Sequence, residues 1–366
     1  MPTKRTILLN PGPVTLTDRV RQAMICDDWC HREPEFAGLT RRINTELVRI
    51  YPGMERDYSA VMLTCSGTGA VEAMLASFAP DAGRTLVLAN GVYGERMAAI
   101  LGAHRKPFYL SQGEWTAPLD VAAVARLLDE QPGITHVATV HHETTTGRLN
   151  DLAAIGALCK ARGLPLLLDG VSSFGAEAID AGAWNLAAVA ATANKCLHGA
   201  PGVSFVIARN ALFTEAKTDA GSVYLDLHAY YSGQHGEGYS PFTPAVPAAF
   251  ALHEALAELH EEGGWVDRQR IYRQRAARIE QELTSLNIYM LLNKNDYSCV
   301  LHSYLLPDGC TYRQAHDVLR QAGFVIYAGQ GPFATRIFRV ANMGAINEQD
   351  LDALAGAFAD LFGPLA

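Results

Sequence analysis

Between Ser59 and Ala208 the chain alternates short apolar runs with amphipathic stretches, and this alternation restricts the fold more than any other feature. The runs are Ala60–Thr64, Thr85–Ala89, Pro107–Leu110, Ile134–Val140, Pro165–Asp169, Leu186–Thr192 and Gly202–Ala208. Stretches with helical spacing, Ala70–Phe78, Gly94–Gly102, Val121–Glu130 and Leu152–Arg162, fall between most of them. Continuous apolar runs bounded by Gly and polar residues suit strands buried on both faces. With helices between them, they predict a doubly wound α/β fold around a seven-stranded, mainly parallel sheet.

Open α/β sheets bind ligands just beyond the carboxyl ends of their strands. Two runs reach that rim with a charged residue. LPLLLDGVSSFG carries Asp169, and LAAVAATANKC carries Lys195. A lysine amine forms a Schiff base with an aldehyde. In pyridoxal phosphate chemistry a carboxylate partners the pyridinium nitrogen and keeps it protonated. Taken alone, the pair is more simply an exposed acid and base at strand ends, so the other motifs must decide.

Cys65-Ser66-Gly67-Thr68-Gly69 lies between a strand and a helix. Small residues let a phosphate approach the backbone, and a helix start offers free N–H groups and a favourable dipole. A plain tight turn is the competing reading. A dinucleotide fingerprint fits less well, because Gly67-Thr68-Gly69 leads to Glu72 where Gly or Ala is needed. The next strand also ends at Asn90 rather than at a ribose-binding acid. Tyr93 follows that strand and can stack on a flat ring or simply pack. His141 and His142 are adjacent, so on a strand they face opposite sides, and no third metal ligand stands near them. No metal site is expected. The hydroxyls of Thr144, Thr145 and Thr146 suit a ring's phenolic oxygen better. Arg336 and Arg339, three apart on a strand, also face opposite ways. One of them aimed into a cleft would hold a substrate anion by a bidentate fork.

The remaining segments divide the chain. Residues 1–15 form an arm around the Pro11-Gly12-Pro13 turn, 16–262 the large α/β domain and 263–366 a smaller α+β domain. Helices are expected at Thr17–Cys26, Phe36–Ile50, Val246–His260 and Val266–Leu286. Strands Ser298–Leu305, Phe324–Tyr327 and Arg336–Ala341 alternate with helices Tyr312–Ala322 and Glu348–Phe362. Residues 218–247, rich in Gly, Ser, Tyr and Pro, read as one long functional loop. A net charge of −8 without a basic run favours no nucleic-acid partner. The run Ile7–Leu9 is too short for a signal segment, and no stretch reaches membrane-spanning length. Seven scattered cysteines suit a reducing cytoplasm rather than a disulfide framework.

Ser66-Gly67-Thr68, Glu143–Gly147 (ETTTG), Asp169 with Ser172-Ser173-Phe174-Gly175, and Ala193-Asn194-Lys195-Cys196 before Pro201-Gly202 resemble the class V, fold-type I pyridoxal phosphate aminotransferases. SSFG, ANKC, GFVIY and FRVANMG are most similar to the group acting on 2-aminoethylphosphonate and pyruvate. The resemblance runs through nearly the whole chain. It implies that Lys195 carries the cofactor aldehyde and Asp169 pairs with its ring nitrogen. Tyr93 and Val171 would cover the two ring faces. Ser66, Gly67, Thr68 and Asn194 would hold the phosphate, with Thr243 of a neighbouring subunit reaching it in a homodimer. Thr144 would bond near the ring oxygen. Arg339 would hold the carboxylate of pyruvate or alanine, with Gly12 and Arg32 as further substrate contacts. The implied reaction moves the amine of a small-molecule donor to a 2-oxo acid. The loop Cys30–Phe36 looks more like the alanine– or serine–glyoxylate members, which gives the alternative reading. A desulfurase needs a reactive cysteine on a mobile loop, and neither Cys299 nor Cys310 has a Gly/His-rich setting.

Overall fold

A computed structural model describes residues 5–214 and 220–363. Among these, the largest sheet has seven strands. Its order is Tyr58–Leu63, Ser204–Arg209, Leu186–Thr192, Leu166–Asp169, Ile134–Val140, Arg84–Ala89 and Phe108–Gln112. Ser204–Arg209 runs antiparallel to both neighbours, and the other pairings are parallel. Every residue of Leu186–Thr192 is buried, as a central strand covered on both faces requires. One apolar cluster, including Leu86, Leu166, Val189 and Phe205, lies against one face. Another, including Val87, Leu167, Ala190 and Val206, lies against the other. These residues alternate along each strand, so both faces are packed.

The helices on the sheet begin where the sequence supplies caps. Asp120 accepts from Ala123 N–H at 3.0 Å, and Asp151 accepts from the N–H groups of Ala153 and Ala154. Helix Pro34–Arg49 starts at a proline, whose missing N–H is one that a helix start leaves unpaired anyway. The result returns the chain repeatedly to one rim. Five parallel strands deliver Thr64–Thr68, Asn90–Tyr93, His141–Thr145, Asp169 and Ala193–Lys195 to their carboxyl ends.

The C-terminal part builds a three-stranded antiparallel sheet from Leu301–Leu305, Ile337–Ala341 and Tyr327–Ala328. Helices Tyr312–Ala322 and Glu348–Phe362 pack on each other, both opened by capping boxes. Ile7–Leu8 of the N-terminal segment pairs in parallel with Phe324–Val325, and Ile7 and Leu9 share a core with Tyr304, Phe338 and Phe358.

Two expectations need revision. The single strand Phe324–Tyr327 is two: Phe324–Val325 pairs with the N-terminal segment and Tyr327–Ala328 joins the three-stranded sheet. Between them Ile326 is fully buried, so the chain turns there from one partner to the other. The loop beginning at 218 is not structureless throughout. Leu227–His235 is a helix capped by Asp226, which accepts from His228 N–H at 2.9 Å. Leu227, Tyr230 and Gln234 form its buried stripe at helical spacing. Residues 218 and 219 of that stretch lie outside the described residues.

Candidate active site

The rim gathers a carboxylate, an amine, a guanidinium and an open helix start. Asp169 closes its strand and is 7% exposed. Its Oδ1 accepts from Val171 N–H at 2.9 Å. Burial raises its carboxyl to about 6, while this hydrogen bond and the charges of Lys195 and Arg96 pull the other way. Burial lowers the Lys195 amine to about 8. Cys196 and Asp169 oppose that shift, and the Arg339 charge reinforces it. Lys195 Nζ donates to Pro11 carbonyl oxygen. A Cβ on Gly12 would stand 2.7 Å from Lys195 Cδ and Cε, and Gly12 has φ +123°. Glycine is therefore required where the arm crosses the lysine.

The lysine's turn is held from below. Arg268, itself buried, donates from Nη1 to Cys196 carbonyl oxygen at 2.7 Å and from Nε to Glu262 at 2.5 Å. His198 Nε2 accepts from Gly344 N–H at 2.8 Å and contacts the Tyr272 hydroxyl at 2.5 Å. The loop bearing Lys195 is thus fastened to the C-terminal part.

Ser66 caps helix Gly67–Phe78 without a side-chain capping bond. Among the described residues, the N–H groups of Gly67, Thr68 and Gly69 have no recorded partner. A Cβ on Gly67 would meet Val171 Cγ1 at 2.6 Å, so the helix start lies directly against Val171. Asn194 Oδ1 accepts from Thr192 Oγ1 at 2.7 Å beside it. Glu72, which weakens the dinucleotide reading, contacts His104 at 2.9 Å, an ordinary bridge between neighbouring helices.

Tyr93 stands in the first turn of helix Val92–Ala103. Glu143, fully buried, caps that helix: its Oε2 accepts from Tyr93 and Gly94 N–H at 3.2 and 3.3 Å. Its Oε1 accepts from the Thr145 N–H and hydroxyl at 3.1 and 2.6 Å. Burial nevertheless raises this carboxyl to about 7. Thr144, next in the chain, offers its carbonyl oxygen to Arg339 Nη1 at 2.7 Å. Arg339 is 0% exposed, and its Nε donates to Ala328 carbonyl oxygen at 2.8 Å. Its Nη2 is buried with no partner among the described residues. Burial lowers the Arg339 pKa. Arg336 instead lies exposed beside Phe333, as the alternation of side chains implied for one of the two.

Asp169, Lys195, Ser66–Thr68, Val171, Tyr93, Thr144, Asn194, Gly12 and Arg339 are thus linked through contacts at one rim. Two further candidates lie elsewhere within this chain. Arg32 is exposed and donates to Pro241 carbonyl oxygen at 3.3 Å, two residues from the exposed Thr243. No recorded contact joins either residue to Lys195 or Asp169 among the described residues. Sequence reading did not single out Glu143, Arg96 or Arg268. Glu143 stood inside ETTTG, and Arg96 follows Tyr93 by one helical turn, so those two signals were present. Arg268 carries no local signal, because its target is brought from 72 residues away.

An amine and a carboxylate at adjacent strand ends, beside an open helix start and a buried guanidinium, define a group-transfer enzyme working at the carboxyl edge of an α/β sheet. The family model Aminotransferase class-V matches residues 63–336, and the chain belongs to that family, which implies pyridoxal phosphate as cofactor. The chain is 36% identical over 358 residues to the 2-aminoethylphosphonate–pyruvate transaminase of Pseudomonas aeruginosa strain UCBPP-PA14, covering 97% of this chain and 95% of that one. It is 32% identical over 355 residues to the Bacillus cereus AH820 protein of the same name, covering 96% and 97%. Among solved structures, a subgroup IV aspartate aminotransferase from Thermus thermophilus superposes with a TM-score of 0.88 at 25% identity, covering 97% and 99%. The fold is also that of an alanine–glyoxylate aminotransferase from Nostoc sp., with a TM-score of 0.90 at 24% identity and coverage of 99% and 96%.

Proposed function

We propose that this aminotransferase moves the amino group of 2-aminoethylphosphonate to pyruvate, releasing phosphonoacetaldehyde and L-alanine. Arg339 carries the reading of the substrate. A fully buried guanidinium with one unpartnered nitrogen implies an anion brought by a ligand, because leaving such a donor unpaired is costly. The named relatives support the choice of amine and acceptor.

The residues at the rim fit pyridoxal phosphate. The unpartnered N–H groups after Ser66 suit its phosphate. Asp169 suits its ring nitrogen, Tyr93 and Val171 its two faces, and Lys195 its aldehyde. When bound, the cofactor supplies an electron sink for the carbon that loses the amine. The chain's own residues then have distinct tasks. With its amine lowered to about 8, Lys195 exists in both protonation states near neutral pH, as a group that takes up and returns a proton must. Asp169, ionised at neutral pH, keeps a proton on the ring nitrogen. Arg339 orients the acceptor through its carboxylate, and Thr144 contributes near the ring oxygen.

The same reading makes the enzyme a cytoplasmic homodimer with a shared site, in which Thr243 and Arg32 serve the partner's cofactor and substrate. Both are exposed, and the bond from Arg32 to Pro241 carbonyl oxygen brings Arg32 to the segment that carries Thr243, which supports that arrangement. It also divides the chain into arm 1–15, cofactor-binding unit 16–262 and smaller unit 263–366, a division supported by the three-stranded sheet that residues 301–341 form apart from the seven-stranded one.

A visible spectrum of the cofactor-loaded protein tests the proposal. A yellow band that bleaches with 2-aminoethylphosphonate and returns with pyruvate is the expected result. A band indifferent to that amine but bleached by alanine or serine would replace it with the glyoxylate-type alternative.

A further inference from the structure

Arg96 belongs to helix Val92–Ala103, one turn beyond Tyr93. Its Nη1 lies 3.2 Å from Thr68 Oγ1, and its guanidinium carbon lies 4.8 Å from the centre of the Tyr93 ring. The side chain is half-buried, and among the described residues no carboxylate pairs with it. A guanidinium has donors only. The Thr68 oxygen must therefore accept from Arg96, which leaves the Thr68 hydroxyl proton free to donate elsewhere. Thr68 belongs to the same helix start whose Gly67, Thr68 and Gly69 N–H groups have no partner among the described residues.

We propose that Arg96 is a positioning residue for the phosphate of the cofactor: it turns the Thr68 hydroxyl into a donor toward that anion and places a positive charge behind Tyr93. The inference rests on reading this helix start as the cofactor's phosphate site. It differs from a packing role for Arg96, which would act only through the Tyr93 ring and would affect any aromatic ligand equally.

The test compares the wild-type apoprotein with Arg96→Met and Arg96→Lys, each checked for fold by circular dichroism. Dissociation constants are measured for pyridoxal phosphate, for pyridoxal, which lacks the phosphate, and for inorganic phosphate as a competitor. Arg96→Met should weaken pyridoxal phosphate and inorganic phosphate by about tenfold or more, the effect of losing a charge-assisted contact. It should leave the weaker binding of pyridoxal unchanged, and Arg96→Lys should recover part of the loss. Equal weakening of pyridoxal and pyridoxal phosphate, or no change in either, would overturn the proposal. Failure of the cofactor reading would instead appear in the wild type, as no binding of pyridoxal phosphate at all.

Discussion

Replacing Arg339 with methionine keeps an unbranched buried side chain and removes the charge and every donor. The unpartnered Nη2 offers a substrate carboxylate one charge-assisted hydrogen bond, because Nε and Nη1 already serve Ala328 and Thr144. Such a bond contributes about 1.5–3 kcal/mol, or roughly 10- to 150-fold in rate at limiting substrate. The substitution also strips a donor from two carbonyl oxygens in the protein, so a lower melting temperature accompanies it. Arg339→Lys keeps the charge but lacks the planar fork, and should fall between the two proteins. The assay loads the enzyme with the aminated form of the cofactor and follows the return of the visible band on mixing with pyruvate. A parallel series uses acetaldehyde, which is pyruvate without its carboxylate. The second-order constant for pyruvate should drop by roughly 10- to 150-fold, with that for acetaldehyde unchanged. A folded variant with an undiminished pyruvate constant, or an equal loss for both acceptors, would refute the role drawn from the orphaned nitrogen.

Three other perturbations probe the same rim. With the Lys195 amine near 8 rather than 10.5, about one molecule in ten carries a free amine at pH 7, against roughly one in 3,000 for an ordinary lysine. Cofactor capture by the apoprotein should therefore rise about tenfold per pH unit below 8 and level off above it; stopped-flow absorbance showing a continued rise to pH 10 would contradict the lowered value. Asp169→Asn should retain cofactor binding yet lose most of the transamination rate, and an unchanged turnover number would remove the carboxylate from the mechanism. Gly12→Ala forces a Cβ to within 2.7 Å of the Lys195 side chain at φ +123°, a backbone conformation that residues with a Cβ rarely adopt. It should slow cofactor attachment while leaving the distant sheet intact, and a normal attachment rate would show that the arm does not constrain the lysine.

Much of the architecture was legible because it is written in local patterns. The apolar runs became the seven strands to within a few residues, since a buried parallel strand needs no information beyond its own continuous hydrophobicity. Asp169 and Lys195 were legible for a related reason: a charge that follows a buried apolar run marks where the strand leaves the core, Asp169 closing its strand and Lys195 lying three residues beyond the next one. Leu227–His235 was missed because Tyr, His and Gly233 obscure a helix whose buried stripe is just three residues. The division at Ile326 was missed because both halves of Phe324–Ala328 have strand-like side chains and differ only in their distant partners.

The site divides along the same line. Strand ends, the small-residue helix start at Ser66–Gly69 and the ETTTG segment were determined by the sequence itself, through spacing and residue type. The tertiary structure alone decided which arginine is buried, which of its nitrogens lacks a partner, and that Glu143 caps the helix bearing Tyr93. It also decided that Arg268 holds the turn that carries Lys195. Each of these depends on desolvation and on hydrogen bonds between segments far apart in the chain. Short-range patterns carry no record of which polar groups folding will leave without water.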